Sequence, residues 1–160
     1  MHVSDFVKLS GGKVLTGEYE DREIVCGYTC DLLSHVMGKG QADMAWITVQ
    51  AHMNVIAVAA LLDFACVIIP EGLPVDETIV NKAASEDIII VSCEQTSFEL
   101  VKLLADAGVP SAKIVYFLSK SSTFAPRHPS ILKSSSSSIL KNSGHFFKIS
   151  KYFFKFFSFC

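Results

Sequence analysis

No acidic residue occurs after Pro110: all 16 Asp and Glu of the 160-residue chain lie before it, and the last fifty residues carry only Lys and Arg as formal charges. That one-sided absence divides the chain in two. Residues 1–110 set six cations (Lys8, Lys13, Arg22, Lys39, Lys82 and Lys102) against those acids and stand about −10, while the remainder brings the whole to −2. So acidic a first part repels phosphate backbones, and a nucleic-acid partner is not expected. Although 50% of the chain is hydrophobic, no stretch reaches the ~18 unbroken apolar residues of a membrane span. Residues 1–9 also lack the basic start and apolar run of a signal peptide, which leaves a cytoplasmic protein as the expectation.

Chemistry-bearing motifs are equally scarce. The five cysteines, Cys26, Cys30, Cys66, Cys93 and Cys160, are odd in number and irregular in spacing. Cys66 and Cys93 fall in apolar runs where Cys behaves as a small hydrophobe, so reduced thiols are expected rather than bridges. Cys26 and Cys30 with His35 lack the C-x2-C pair and fourth ligand of a structural zinc or iron–sulfur site, and no metal or cofactor is expected. The phosphate-binding loop G-x-x-x-x-G-K-[ST] is absent, since Val7 stands where Gly12-Lys13 would need a first glycine. Ser34, His35, His52 and Asp31 have no strand–turn–helix G-x-S-x-G context, so the chain is expected not to be an enzyme.

What is present is an alternation of strands and helices. Ser4 is placed to cap a helix over 5–9, and short strands over 13–16 and 23–28 are bounded by Gly11, Gly12, Gly17 and Gly27. Asp31 opens a brief helix over 32–37. A more regular series follows: apolar run 44–49, helix 55–62, apolar run 65–69, helix 76–85 and apolar run 88–91. A last helix over 97–107 is announced by Thr96 with Glu99 three residues on, a capping box, and stopped by Gly108 and Pro110. Near-continuous Val/Ile strands between ten-residue helices predict an α/β fold, a mainly parallel central sheet of four to five strands flanked by helices. Residues 113–118 are a candidate for one more strand, and Trp46, inside an apolar run, is expected in the core or at a dimer seam.

Ligands of such sheets bind at the carboxyl ends of strands, where loops lead into helices. The loop after 44–49 presents Gln50, His52 and Asn54 at every second position. The loop after 88–91 leads through Thr96 and Ser97 into a helix N-terminus, where free N–H groups and the helix dipole favour an anion. The plainer roles at these places are a helix cap for Asn54 and Thr96 and a loop contact for His52. Asp21-Arg22 fits two readings, a guanidinium fork on a ligand or a structural hydrogen-bond hub.

Asp21-Arg22 followed by Gly27-Tyr28, then Asp31-Leu32-Leu33-Ser34, Val36-Met37, Trp46-Ile47-Thr48-Val49-Gln50 and His52 with Asn54, resembles the DRTGG domain, in particular its small stand-alone members. The likeness runs over about 3–109 and includes 94–100. The name motif is incomplete, with Asp21-Arg22-Glu23 and Cys26-Gly27 where Asp-Arg-Thr-Gly-Gly belongs. The resemblance implies regulation and dimerisation: related domains sit beside CBS domains in family II pyrophosphatases and at the front of some phosphotransacetylases, and they resemble the N-terminal domain of HPr kinase. Stand-alone relatives tend to be encoded near iron-only hydrogenase and histidine-kinase-like genes, which implies a protein partner of that kind.

The expected organisation is therefore a DRTGG-like domain over 1–112 and a low-complexity tail over 113–160. Serine runs at 119–122 and 134–138 lead to seven Phe among three Lys over 145–160. That tail fits a linker ending in a basic-aromatic membrane or partner segment, or a frameshift product of an A/T-rich gene, and the second is favoured. The expected function is a non-catalytic, dimerising regulatory domain that senses a small anion or nucleotide through Gln50, His52, Asn54, Thr96, Ser97, Asp21, Arg22 and Asp31. The alternative is a protein-interaction adaptor with no small ligand.

Overall fold

The computed structural model of the chain describes residues 1–112. The strand expected over 113–118, the serine runs, the Phe-rich segment and Cys160 lie outside the described residues. In chain order the elements are α1 (Val3–Ser10), β1 (Lys13–Val14), β2 (Cys26–Thr29), α2 (Leu33–Lys39), β3 (Met44–Ile47), α3 (Met53–Leu61), β4 (Cys66–Ile69), α4 (Glu77–Ser85), β5 (Ile89–Ser92) and α5 (Ser97–Asp106). They form an α/β fold around a five-stranded sheet of order β1-β5-β4-β3-β2. β2 to β5 are parallel and in sequence order, with Tyr28 beside Trp46, Trp46 beside Val67 and Val67 beside Ile90. Only β1 runs antiparallel, with Lys13 opposite Ser92 at one edge.

Because β2 to β5 step in one direction and parallel crossovers keep one hand, α2, α3 and α4 all fall on the same face. Their Val36, Val55, Ile56, Ala59, Ile79 and Ala83 pack with Met44, Trp46, Val67 and Ile90. On the other face, Val3 and Phe6 of α1 and Leu100 and Leu104 of α5 pack on Ala45, Ile47, Ile68, Ile89 and Val91. β3 and β4 are buried at every position, which is why they read as unbroken apolar runs rather than alternating ones. α3 is apolar on most of its circumference for the same reason, being wedged between α2 and α4 as well as on the sheet.

Three local expectations are corrected by longer-range contacts. His2, not Ser4, caps α1 with Asp5 in a capping box, while Ser4 donates from N (2.9 Å) and Oγ (2.7 Å) to Asp21. Leu32 precedes α2 without a side-chain cap, because the Asp31 carboxylate is engaged with β3 and its loop. Asn54 lies inside the first turn of α3, whose cap position is His52. The α5 capping box stands as expected, with Thr96 Oγ1 accepting from Glu99 N and the Glu99 carboxylate accepting from Thr96 N and Oγ1.

Helices α3, α4 and α5 end alike. Phe64, Ile88 and Val109 each donate five residues back, to Ala59, Ala83 and Leu104, around a left-handed Asp63, Asp87 or Gly108, the pattern that satisfies orphan carbonyls at a helix C-terminus. Two of these turns use Asp where glycine is usual, so the sequence offers no glycine to mark them.

All four described cysteines are free, and Cys26, Cys66 and Cys93 are buried. Burial, with Cys93 nearby and Arg22 working the other way, pushes the Cys66 thiol up to about 12, and burial raises Cys26 and Cys93 as well. The thiolate is the reactive form. Iodoacetamide at neutral pH is therefore expected to label Cys30 among these four and to spare the other three until denaturant is added, as peptide mass spectrometry would show. Native labelling of Cys66 at the rate of Cys30 would contradict the burial of β4.

Candidate functional site

The amino and carboxyl ends of the sheet divide the candidate residues into groups. At the amino end, Arg22 Nη1 donates to Asp63 Oδ1 (3.0 Å) and the Phe64 carbonyl (2.9 Å), and Nη2 donates to the Asp63 carbonyl (3.1 Å) and to Asp43 Oδ1. Asp43 immediately precedes β3, Asp63 lies three residues before β4, and both have left-handed backbones, φ 58° and 57°. One guanidinium thus ties together the entries to two central strands. Burial works against its charge, but the Asp43 and Asp63 carboxylates outweigh this and raise the Arg22 pKa. Asp21 beside it holds the first turn of α1 through Ser4; burial opposes its charge, while those hydrogen bonds and His2 bring its pKa below the usual value. The structure therefore places Asp21 and Arg22 away from the strand ends that carry the loops, with the fork of Arg22 filled by protein oxygens.

At the carboxyl end of β2 and β3 four polar side chains come together. Asp31, just past β2, accepts on Oδ1 from Thr48 Oγ1 (2.7 Å) and from Val49 N (3.1 Å). Thr48 is 1% exposed and its Oγ1 also accepts from Gln50 N (3.2 Å). Gln50 Oε1 in turn lies in hydrogen-bond contact with His52 Nε2. Trp46 Nε1 donates to the Cys30 carbonyl (2.8 Å), fixing the turn that delivers Asp31. The three side chains expected from the Gln50-x-His52-x-Asn54 spacing thus begin and end a short arc into α3, with Asn54 exposed on its first turn. α3 has no side-chain cap, and although Val55 N donates to the His52 carbonyl (3.0 Å), the N–H groups of Met53 and Asn54 ahead of it are left for solvent or a ligand.

Thr48 is the member that sequence reasoning passed over. Its signals were a hydroxyl at the end of an apolar strand, followed by Gln50, and its place in the Trp46 to Gln50 run that carries the DRTGG resemblance. Around this cluster sit exposed apolar side chains, Leu32 and Val49 on the same loops and Met53 at the start of α3, at 58%, 42% and 45% exposure. Beneath it a cavity of about 10 Å³ opens between Gln50, His52, Val55, Val75 and Ile79, space for about one water. A ligand here must rest on the surface of the cluster rather than enter the core.

Thr96 and Ser97 do not join this arc. β4 leads to α4 on one face and β5 to α5 on the other, and such a divergence is where a crevice opens in parallel sheets. Here it is closed by the chain itself, with Glu71 N donating to the Gln95 carbonyl (3.0 Å) and Gly72 N to the Cys93 carbonyl (2.9 Å). Gly72 has φ 58°, and a Cβ there would meet the Glu94 carboxylate at 2.8 Å. At the start of α5 the anion position is taken by Glu99, whose carboxyl is held below its usual value by the Thr96 N–H and then by the Thr96 hydroxyl. Among the described residues no group of three His, Cys, Asp or Glu is placed to hold a metal, and no helix is long and apolar enough to cross a membrane.

No family model and no curated protein matches the chain by sequence. Among solved structures it is similar to the CBS and DRTGG domains of the regulatory region of Clostridium perfringens pyrophosphatase, solved with its activator, diadenosine tetraphosphate. The TM-score is 0.53 at 13% identity, over 77% of this chain and 52% of that one. The domain is DRTGG-like in fold. The chain spans about half the length of that regulatory structure, 52%. In the DRTGG-like domain the Asp-Arg pair thus has a structural anchor at the amino end of the sheet, and the Trp-x-Thr-x-Gln-x-His stretch builds the polar arc at the carboxyl end.

Proposed function

We propose that the domain is a non-catalytic regulatory module, working as a homodimer, that senses a small nucleotide at the carboxyl ends of β2 and β3. The observation that carries this reading is the convergence of Asp31, Thr48, Gln50 and His52 there, ringed by exposed Leu32, Val49 and Met53. The chemistry favours a nucleoside-bearing ligand over a bare anion. Loops at this end carry exposed Asp31, Glu71, Asp76 and Glu94, against Lys13 at the edge strand, so charge alone holds an inorganic anion poorly, and a phosphate group needs base and ribose contacts to outweigh that repulsion. A base and ribose match acceptors and donors on Asp31, Gln50 and His52, with apolar Leu32 and Met53 for the base, and a phosphate suits the uncapped start of α3. The pyrophosphatase regulatory region, whose activator is a dinucleoside tetraphosphate, supports trying such nucleotides first. Asn54 belongs to this site; Thr96 and Ser97 are the second place to probe.

A thermal-shift screen of the full chain against mono- and dinucleotides tests the reading. A ligand at about 100 times its Kd stabilises the native state by about 2.7 kcal/mol, and the saturable rise in Tm is expected to vanish in His52→Ala. His52 is exposed, so that variant should melt like the parent without ligand. A rise that survives both His52→Ala and Asp31→Ala would place the ligand elsewhere. No rise with any nucleotide would favour the second reading, a protein-interaction adaptor, which the exposed Phe98 of α5, at 79%, supports.

A further inference from the structure

Asp31 is the acid of the polar arc, and its carboxylate is only half engaged. Oδ1 accepts from Thr48 Oγ1 (2.7 Å) and from Val49 N (3.1 Å), while among the described residues no donor reaches Oδ2. Thr48 is buried at the end of β3 and Val49 N belongs to the backbone that follows it. The plane of the carboxylate is therefore set by the sheet rather than by a solvated loop. Its second oxygen is left on an exposed residue as an acceptor of fixed direction.

We infer that Asp31 Oδ2 takes the ribose diol of the nucleotide and makes the site selective for ribonucleotides over deoxyribonucleotides. The inference rests on the nucleotide reading and names the sugar that the site admits. A carboxylate only accepts hydrogen bonds and repels phosphate, so the part of a nucleotide it can hold is an uncharged one rich in donors. Its neighbours take the other parts. Leu32, next in sequence, and Val49, whose N–H it accepts, expose apolar side chains to a base. The free N–H groups of Met53 and Asn54, at the start of α3, suit a phosphate. Sugar lies between base and phosphate in any nucleotide, and along this rim Asp31 lies between Leu32 and the start of α3. An acid past the carboxyl end of a parallel strand meets a ribose hydroxyl in the same way in doubly wound dinucleotide folds. Because the acceptor is already oriented, loss of the 2′-hydroxyl forfeits a charge-assisted bond with little ordering cost to offset it.

Calorimetric titration of the full chain with ATP, GTP and their 2′-deoxy forms tests this, with a chelator present so that no metal bridges carboxylate and phosphate. The parent is expected to bind the ribonucleotide about tenfold more tightly than its 2′-deoxy form, the low end for a hydrogen bond to a charged group, as suits an exposed site. Asp31→Asn keeps an Oδ1 acceptor for Thr48 and Val49 but puts a donor in place of Oδ2. Its Tm without nucleotide should therefore hold while the preference for ribose disappears. The 2′-deoxy form should bind this variant no worse than the parent, since repulsion of its phosphates is relieved. A parent that binds both forms equally, or a preference that survives in Asp31→Asn, would overturn the role of Asp31 and leave nucleotide sensing standing. Equal loss of both forms in Asp31→Asn would also overturn it, by showing a site merely distorted. Failure of every one of these nucleotides to bind the parent would overturn the inference together with the reading it rests on.

Discussion

Replacing Trp46 with alanine is expected to lower the unfolding free energy by about 4 kcal/mol, within the ~3–5 kcal/mol range of large aromatic-to-alanine changes in cores. Trp46 is fully buried at the centre of the sheet, paired with Tyr28 on one side and Val67 on the other. Its ring meets Phe64 edge-on, with centroids 5.8 Å apart at 81°, an arrangement that adds to simple burial. The indole N–H also satisfies the Cys30 carbonyl at the turn that delivers Asp31. Trp46→Phe therefore separates two effects. It should recover much of the packing yet leave that carbonyl without its donor, so nucleotide binding should stay weaker than in the parent even where stability is nearly regained. Denaturant titration reads the first and the thermal-shift rise reads the second. A loss below about 1 kcal/mol in Trp46→Ala would be incompatible with a core position.

Arg22→Ala should cost about 3 kcal/mol. The guanidinium makes four hydrogen bonds, two of them to carboxylates and two to carbonyls, and charge-assisted bonds are the stronger kind. Its removal leaves Asp43 and Asp63 facing each other's charge at the entry to β3 and β4, and it takes a donor from the Phe64 and Asp63 carbonyls, of which Asp63 keeps the Asp43 N–H (2.9 Å). The side chain is 21% exposed, so water recovers part of what is lost, and the figure lies at the low end of the ~3–5 kcal/mol seen when one partner of a fully buried pair is deleted. Arg22→Lys should recover less than half, because one ammonium cannot span both strand entries as the planar fork does. Equilibrium denaturation of the three proteins checks the order. An alanine variant as stable as the parent but unable to bind nucleotide would instead restore the reading of Arg22 as a ligand clamp.

The contrast between these two residues shows where a linear reading stops. Trp46 was legible in part, since an aromatic inside an apolar run is expected in the core or at a dimer seam, and its complete burial puts it in the core. The Asp-Arg pair was not, because its partners stand 21 and 41 residues away and neither spacing nor composition names them. The same holds for Asp31, whose position before an apolar stretch suggested a helix cap while its oxygen was taken by Thr48 and Val49, 17 and 18 residues on. Side chains that compete between a local cap and a distant donor cannot be assigned from the local sequence. Asp43, Asp63 and Asp87 in left-handed turns are a related case, for glycine usually marks such positions and Asp is tolerated there only with support from the surroundings.

By itself the sequence determined the order and type of the elements. Unbroken runs such as Cys66–Ile69 are stable only when covered on both faces, which demands helices between parallel strands, and the Thr96 and Glu99 pair announces its helix within four residues. Tertiary structure alone decided which loops share a site. It sent α5 to the face opposite α3, closed the divergence between β4 and β5 with backbone hydrogen bonds, and so separated Thr96 from His52. The physical reason is that local propensity acts over a few residues, whereas the side of the sheet a helix covers is fixed by the handedness of its crossover and by the burial of surfaces far apart in the chain.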